Sequence, residues 1–174
     1  MKALNIHGYE GSAHNSAYAA LESLGFDVVS PQSDYAAESP ESVIEKLLGI
    51  AAEGKPDIIV GTSLGGFFAS VLAARTGLPV MLVNPCLMPF LHLPRLGYTG
   101  DIKPFIMLFP ELASLSRERV RVIVGGRDEV IDTHDFDARL FGEDNVRVFP
   151  EGLHSGSTLP LTDFFGKAAA ELRR

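Results

Sequence analysis

The 174-residue sequence predicts a three-layer α/β protein with a mostly parallel sheet of about six strands, forming one domain over residues 1–174. Three observations predict it. Short β-branched runs alternate with segments of helical periodicity, the pattern of βαβ units whose crossovers lay helices on both faces of a sheet. Several runs are continuously apolar rather than alternating, as strands covered on both faces are. Most are bounded by Gly, Pro or Asn, which punctuate strands.

Taken in order, strands are expected at residues 3–6, 27–30, 58–61, 80–84, 120–125 and 146–150. Helices are expected between them. Residues 16–24 carry Ala and Leu at helical spacing. Residues 40–52 have start signals in Ser39 as N-cap, Pro40 at the first helical position and Glu41 in the first turn. Residues 64–75 run to a stop at Gly77, and 136–141 and 161–172 complete the set. The Pro-rich aliphatic stretch from Asn84 to Ala113 resists the pattern. Because it follows a strand end, it lies on the edge where open α/β sheets bind ligands, either as a pocket wall or as an irregular cover for the core.

Composition narrows the function classes. A net charge of −7 argues against nucleic acid or an anionic membrane surface as partner, since both call for a basic face. No apolar run is long enough to span a bilayer, and "MKALNIHG" reads as a strand rather than a secretory leader. The single cysteine, Cys86, precludes an internal disulfide and fits a reducing, cytoplasmic setting. A homo-oligomer is left open.

The chemistry centres on Gly61-Thr62-Ser63-Leu64-Gly65, a G-x-S-x-G sequence between an expected strand and an expected helix. That context is what a nucleophile elbow requires: glycines let the chain double back while the serine hydroxyl is thrust out above the sheet. A serine needs a base and an orienting acid, which in this architecture follow in the order Ser, Asp or Glu, His. "RDEVID" after the fifth strand presents Asp128, and "LHSGS" after the sixth presents His154. Asp132 competes with Asp128, which is preferred because it comes immediately after the strand and its turn. The expected oxyanion donors are the amides of Leu64 and of Tyr9, the latter in the loop after the first strand. His7 reads as a structural brace for that loop and His14 as a surface residue. His134 reads as a solvated helix-start residue rather than a metal ligand, because no metal-binding spacing accompanies it. No metal or other cofactor is expected.

With these residues placed, the chain resembles the small uncapped α/β-hydrolases of the YqiA-type esterase family, through "LNIHGYEGS", "VGTSLGGFFA", "LPVMLVNPCLMPF", "GGRDEVID" and "FPEGLH". The resemblance implies an α/β-hydrolase fold without a cap domain. It also implies a carboxylester or thioester hydrolase with Ser63 as nucleophile, Asp128 as acid and His154 as base. The chain departs from the family pattern at Leu87-Met88, where an arginine is usual, and lacks the aromatic that often follows the histidine. The apolar Leu87, Met88 and Phe90, with His92, are the expected substrate contacts and suggest an uncharged acyl group. The expected activity is acyl-enzyme hydrolysis of a small ester or thioester. An acyltransferase or peptidase on the same residues, or a non-catalytic binding protein of the same fold, is the alternative.

Overall fold

The computed structural model describes residues 1–173. Its centre is a six-stranded, wholly parallel sheet in the order β2-β1-β3-β4-β5-β6. The strands are β1 (Lys2–Ile6), β2 (Asp27–Val29), β3 (Ile58–Thr62), β4 (Val80–Val83), β5 (Val120–Gly125) and β6 (Val146–Phe149). Continuous apolarity has the expected cause. Along β3, Ile59 packs into the cluster on one face while Ile58 and Val60 pack into the cluster on the other. Both faces of the inner strands are dry, so each position needs an apolar side chain.

One face carries α1 (Ser16–Ser23) and α7 (Leu161–Leu172), with Leu21 and Phe165 fully buried against β1 and β3. The other carries α2 (Pro40–Gly54) and α3 (Leu64–Thr76). α3 is apolar all round, with every residue from Leu64 to Ala73 buried, because it is sandwiched between the sheet, α2 and the chain after β4. The Ser39 hydroxyl caps α2 by accepting from the Ser42 amide, with Pro40 in the first turn. α2 runs to Gly54, two residues beyond expectation, and closes on Lys55 in the left-handed region. α3 ends as expected on Gly77 at φ 72°.

The stretch from Asn84 to Ala113 is a cover for the core. It forms α4 (Pro89–His92), a 3-10 turn (Leu93–Leu96), α5 (Lys103–Leu108) and a second 3-10 turn (Phe109–Ser114). Leu87, Leu93, Phe105, Leu108 and Leu112 are buried in the α2/α3-side core, and Phe105 meets Phe67 edge-on at 5.6 Å. After β5, α6 (His134–Phe141) begins two residues earlier than expected, bringing His134 and Asp137 onto one helical face.

All strands being parallel, their C-terminal ends share one edge. The chain leaves β1 outward to β2 and returns to the other side of β1 as β3. The crevice at that reversal lies between the ends of β1 and β3, where open α/β sheets hold ligands. Ser63 and the His7-Gly8 loop flank it.

The elbow depends on glycines for space. A Cβ on Gly61 would lie 2.5 Å from both the Ala69 Cβ and the Gly65 carbonyl oxygen. A Cβ on Gly65 would overlap the backbone carbonyls of Ile6 and His7, which cannot swing aside without breaking β1. Gly65→Ala should therefore destabilise the protein by about 1–3 kcal/mol in urea unfolding, as overpacking of a closed core does; a neutral effect would show that β1 and α3 have room to separate.

Candidate active site

Ser63 follows β3 directly and adopts φ 52°, ψ −121°, a strained conformation for a residue with a side chain. The strain is over-determined by hydrogen bonds. The Ser63 amide donates to the Val83 carbonyl at 3.0 Å, and the Ser63 carbonyl accepts from the Gly66 and Cys86 amides at 2.8 and 2.9 Å. The side chain makes no capping bond to α3. Its hydroxyl instead donates to His154 Nε2 at 3.0 Å, across 91 residues of chain.

His154 lies in the loop after β6. Its Nδ1–H is shared between the two oxygens of Asp128, at 3.0 Å to Oδ1 and 2.9 Å to Oδ2. Asp128, two residues beyond the Gly125-Gly126 end of β5, also accepts the Val130 and Ile131 amides at Oδ1, both at 2.9 Å. Its Oδ2 accepts further from His134 Nε2 at 2.9 Å. Burial works against the charge of this carboxyl, whose side chain is 2% exposed. The hydrogen bonds from His134, His154 and the two amides outweigh burial and hold it well below the usual carboxylate range. Asp132, the competing acid, is at the surface, where it pairs with Arg95 at 3.1 Å. It is Asp128 that the structure brings to His154.

Asn84 ties these loops together. Its backbone turns into the left-handed region at φ 42°, which Asn tolerates better than most residues. Its fully buried side chain accepts the Gly125 amide at 2.7 Å and donates to the carbonyls of Leu153 and His154 at 2.9 and 2.8 Å. One side chain at the end of β4 thus anchors the end of β5 and the His154 loop. The loop after β1 is braced by His7, as expected. Its Nδ1–H donates to the Gly8 carbonyl at 2.7 Å, its Nε2 accepts the Ser33 amide at 3.0 Å, and burial lowers its pKa. The tautomer is fixed by its two partners, which engage both ring nitrogens.

A cavity of about 210 Å³ opens beside Ser63, lined among others by Tyr9, Asn15, Ala17, Ser63, His154 and Gly156. Among the described residues, the amides of Leu64 and Tyr9 donate to no protein acceptor, and Tyr9 is part of the cavity lining. A larger cavity of about 560 Å³ lies behind Asp128, between β6 and α6, and Ser63 is not in its lining.

The expected substrate contacts do not reach Ser63. Leu87 is 1% exposed in the core, and Phe90 packs edge-on against Phe109 at 5.4 Å. His92 is buried with Nε2 3.1 Å from the Thr133 hydroxyl, and none of Leu87, Met88, Phe90 or His92 lines the cavity beside the serine. The reason is that the segment from Asn84 onward spends its apolar residues covering α3. Among the described residues, its aromatic link to the Ser63 side is Tyr98, which meets Tyr9 edge-on at 5.9 Å. Burial pushes the Cys86 thiol up to about 12, which leaves it inert.

Two residues at the site were not legible as such. Asn84 was visible only as part of a family motif. His134 read as solvated, yet its side chain is 13% exposed and sits between Asp128 and Asp137. The i, i+3 spacing of His134 and Asp137 was the available signal. Asn84→Ala should cost about 1–3 kcal/mol in urea unfolding, the scale of stranding buried polar groups. It should also speed amide exchange across residues 152–156 relative to α3, and equal exchange in the two proteins would remove the anchoring role.

Among solved structures, the chain resembles one from the metagenome-derived lipolytic enzymes LipS and LipT, at 16% identity and a TM-score of 0.72, covering 99% of this chain and 93% of that one. It resembles Est1E from Butyrivibrio proteoclasticus at 16% identity and TM-score 0.68, covering 97% and 88%. MGS-MChE2, an α/β-hydrolase enzyme from a lagoon-sediment metagenome of Mar Chica, Morocco, matches at 12% identity and TM-score 0.67, covering 99% and 90%. These likenesses establish the α/β-hydrolase fold. No curated protein is similar in sequence to this chain. Residues 2–103, more than half of the chain, match the Uncharacterised protein family UPF0227, and the chain belongs to that family, the YqiA-type family its motifs resemble.

Proposed function

We propose that this protein is a serine hydrolase that cleaves carboxylic esters or thioesters of small acyl groups through an acyl-enzyme. The observation that carries the reading is the continuous hydrogen-bond line from Ser63 Oγ to His154 Nε2 (3.0 Å) and from His154 Nδ1 to Asp128 (2.9 Å). Ser63 Oγ attacks the substrate carbonyl carbon as His154 Nε2 takes the hydroxyl proton. Asp128 holds the ring in the tautomer that leaves Nε2 unprotonated and then balances the imidazolium. The open amides of Leu64 and Tyr9 receive the oxyanion, helped by the positive end of α3. His154 returns its proton to the departing alkoxide or thiolate. Water, deprotonated by His154, then adds to the acyl carbon, and collapse of the intermediate restores Ser63 and releases the acid.

The cavity beside Ser63, about 210 Å³, is below the usual range for drug-sized ligands, which favours short acyl chains. Its lining mixes Tyr9, Asn15 and Ser155 with Ala17 and Gly156, so it offers no long apolar groove. No helix of the described residues is long and apolar enough to cross a membrane.

A fluorophosphonate probe should label the wild type and fail on Ser63→Ala and His154→Ala. Hydrolysis of p-nitrophenyl acetate should fall by about 10⁴- to 10⁶-fold in kcat in both variants. Folded wild type that resists labelling would instead favour a binding protein on an inherited elbow. Asp128→Asn should lose about 10⁴-fold in kcat, the scale expected when the histidine is left in the wrong tautomer, while Asp132→Asn keeps activity near wild type. The reverse order would reassign the acid.

A further inference from the structure

Beyond Asp128 the hydrogen-bond line does not stop. His134, in the first turn of α6, directs Nε2 to Asp128 Oδ2 at 2.9 Å and Nδ1 to Asp137 Oδ2 at 2.7 Å. Both carboxylate side chains are 2% exposed. With ionised carboxylates on both sides, each ring nitrogen must donate, and an imidazole with two N–H groups is a cation. Burial opposes that charge, but the hydrogen bonds to Asp128 and Asp137 prevail and raise the His134 pKa to about 9. Burial acts on Asp137 in the other direction and raises its carboxyl above the usual range, against the pull of His134.

The charges alternate along the line: Asp137, His134, Asp128, then His154 and Ser63. A structural ion pair needs only two groups. Here the cation shares its acceptor oxygen, Asp128 Oδ2, with the proposed base. We propose that His134, pinned by Asp137, is a positioning residue for the Asp128–His154 pair, a largely buried cation that fixes the Asp128 carboxylate against the proposed base and sets the charge of its surroundings. The inference rests on the hydrolase reading for its kinetic consequence, but not for the charge state itself.

The other charged or titratable groups around the line do not supply this cation. His92, from α4, is buried and its pKa is lowered, first by burial. Arg95 is engaged with Asp132 at the surface, and Asp135 with Arg139. Glu129 accepts the His154 amide at 3.0 Å, and Cys86 is a neutral thiol. Replacing His134 by Gln keeps a donor for Asp128 but removes the charge. Asp137, deprived of its cation, then takes up a proton because it is buried. The charge nearer to the Ser63 end of the line is the positive one, so its loss decides the sign of the change at the site.

Three readings test this. In wild-type ¹⁵N spectra the His134 ring should hold two protons at pH 7 and release one near pH 9; release near 6.5, as for a free histidine, would overturn the proposal. In His134→Gln, the acidic limb of the kcat/KM profile for p-nitrophenyl acetate should move up by about 1 pH unit. A variant that loses thermal stability and kcat but keeps the limb in place would mark His134 as structural only. Asp137→Asn should lower the pH at which His134 loses its proton, and no change would sink the pinning role, whether or not the glutamine variant folds. If wild type hydrolyses nothing, the hydrolase reading fails by itself. The His134 ring resonances, in wild type and in Asp137→Asn, then carry the comparison.

Discussion

The site depends on how closely α3 is drawn against the end of β1. Gly65 lies so near the Ile6 and His7 carbonyls that no side chain fits between them, and Gly61 faces Gly65 and Ala69 across the turn. This contact forces Ser63 to positive φ and holds it there, with the Val83, Gly66 and Cys86 hydrogen bonds closing off alternatives. Strain of this kind persists only where surrounding packing over-determines it. The ten consecutive buried residues of α3 supply that packing, and the cover from Asn84 to Ala113 exists in this sense to keep α3 dry.

A parallel sheet then does the assembling. Its strands all end on one edge, so loops far apart in sequence arrive within hydrogen-bond reach without any dedicated scaffold. The edge alone does not set sub-ångström positions. Asn84 does part of that work from the end of β4, between the strands that carry Ser63 and Asp128, by tying Gly125 to the carbonyls of Leu153 and His154. His7 plays the matching part on the other side, through Gly8 and Ser33. The proposed nucleophile, acid and base thus each sit on a loop whose backbone is bonded to a neighbouring strand end or loop.

Electrostatics at the site are those of a chain rather than a pair. Asp128 accepts from two backbone amides and two histidines, which is why it stays ionised despite burial. A carboxylate so well satisfied is rigid, and a rigid acid orients an imidazole better than a mobile one. The larger cavity behind Asp128 approaches this charged line from the β6–α6 side, whereas the smaller one opens on Ser63. The two faces of the line therefore open on separate cavities, the one behind lined by Asp132, Asp135 and Glu143 as well as by valines.

The sequence by itself determined the strand–helix alternation, the parallel sheet, the elbow at Ser63 and the order in which Asp128 and His154 follow it. These are local properties: periodicity, punctuation and the spacing of glycines around one serine are all written within a few residues. Boundaries shifted by a residue or two where a side chain intervened, as at Asn84, whose left-handed turn ends β4 early. Tertiary structure decided what lies between the elements. Whether Leu87 and Phe90 face a ligand or the core depends on how the chain from Asn84 drapes over α3, which no local pattern encodes. The same holds for His134: beside three aspartates in sequence it reads as a solvated helix start. Only the packing of α6 against β5 and β6 removes it from water and sets it between two carboxylates, because burial and partner choice are properties of the whole fold.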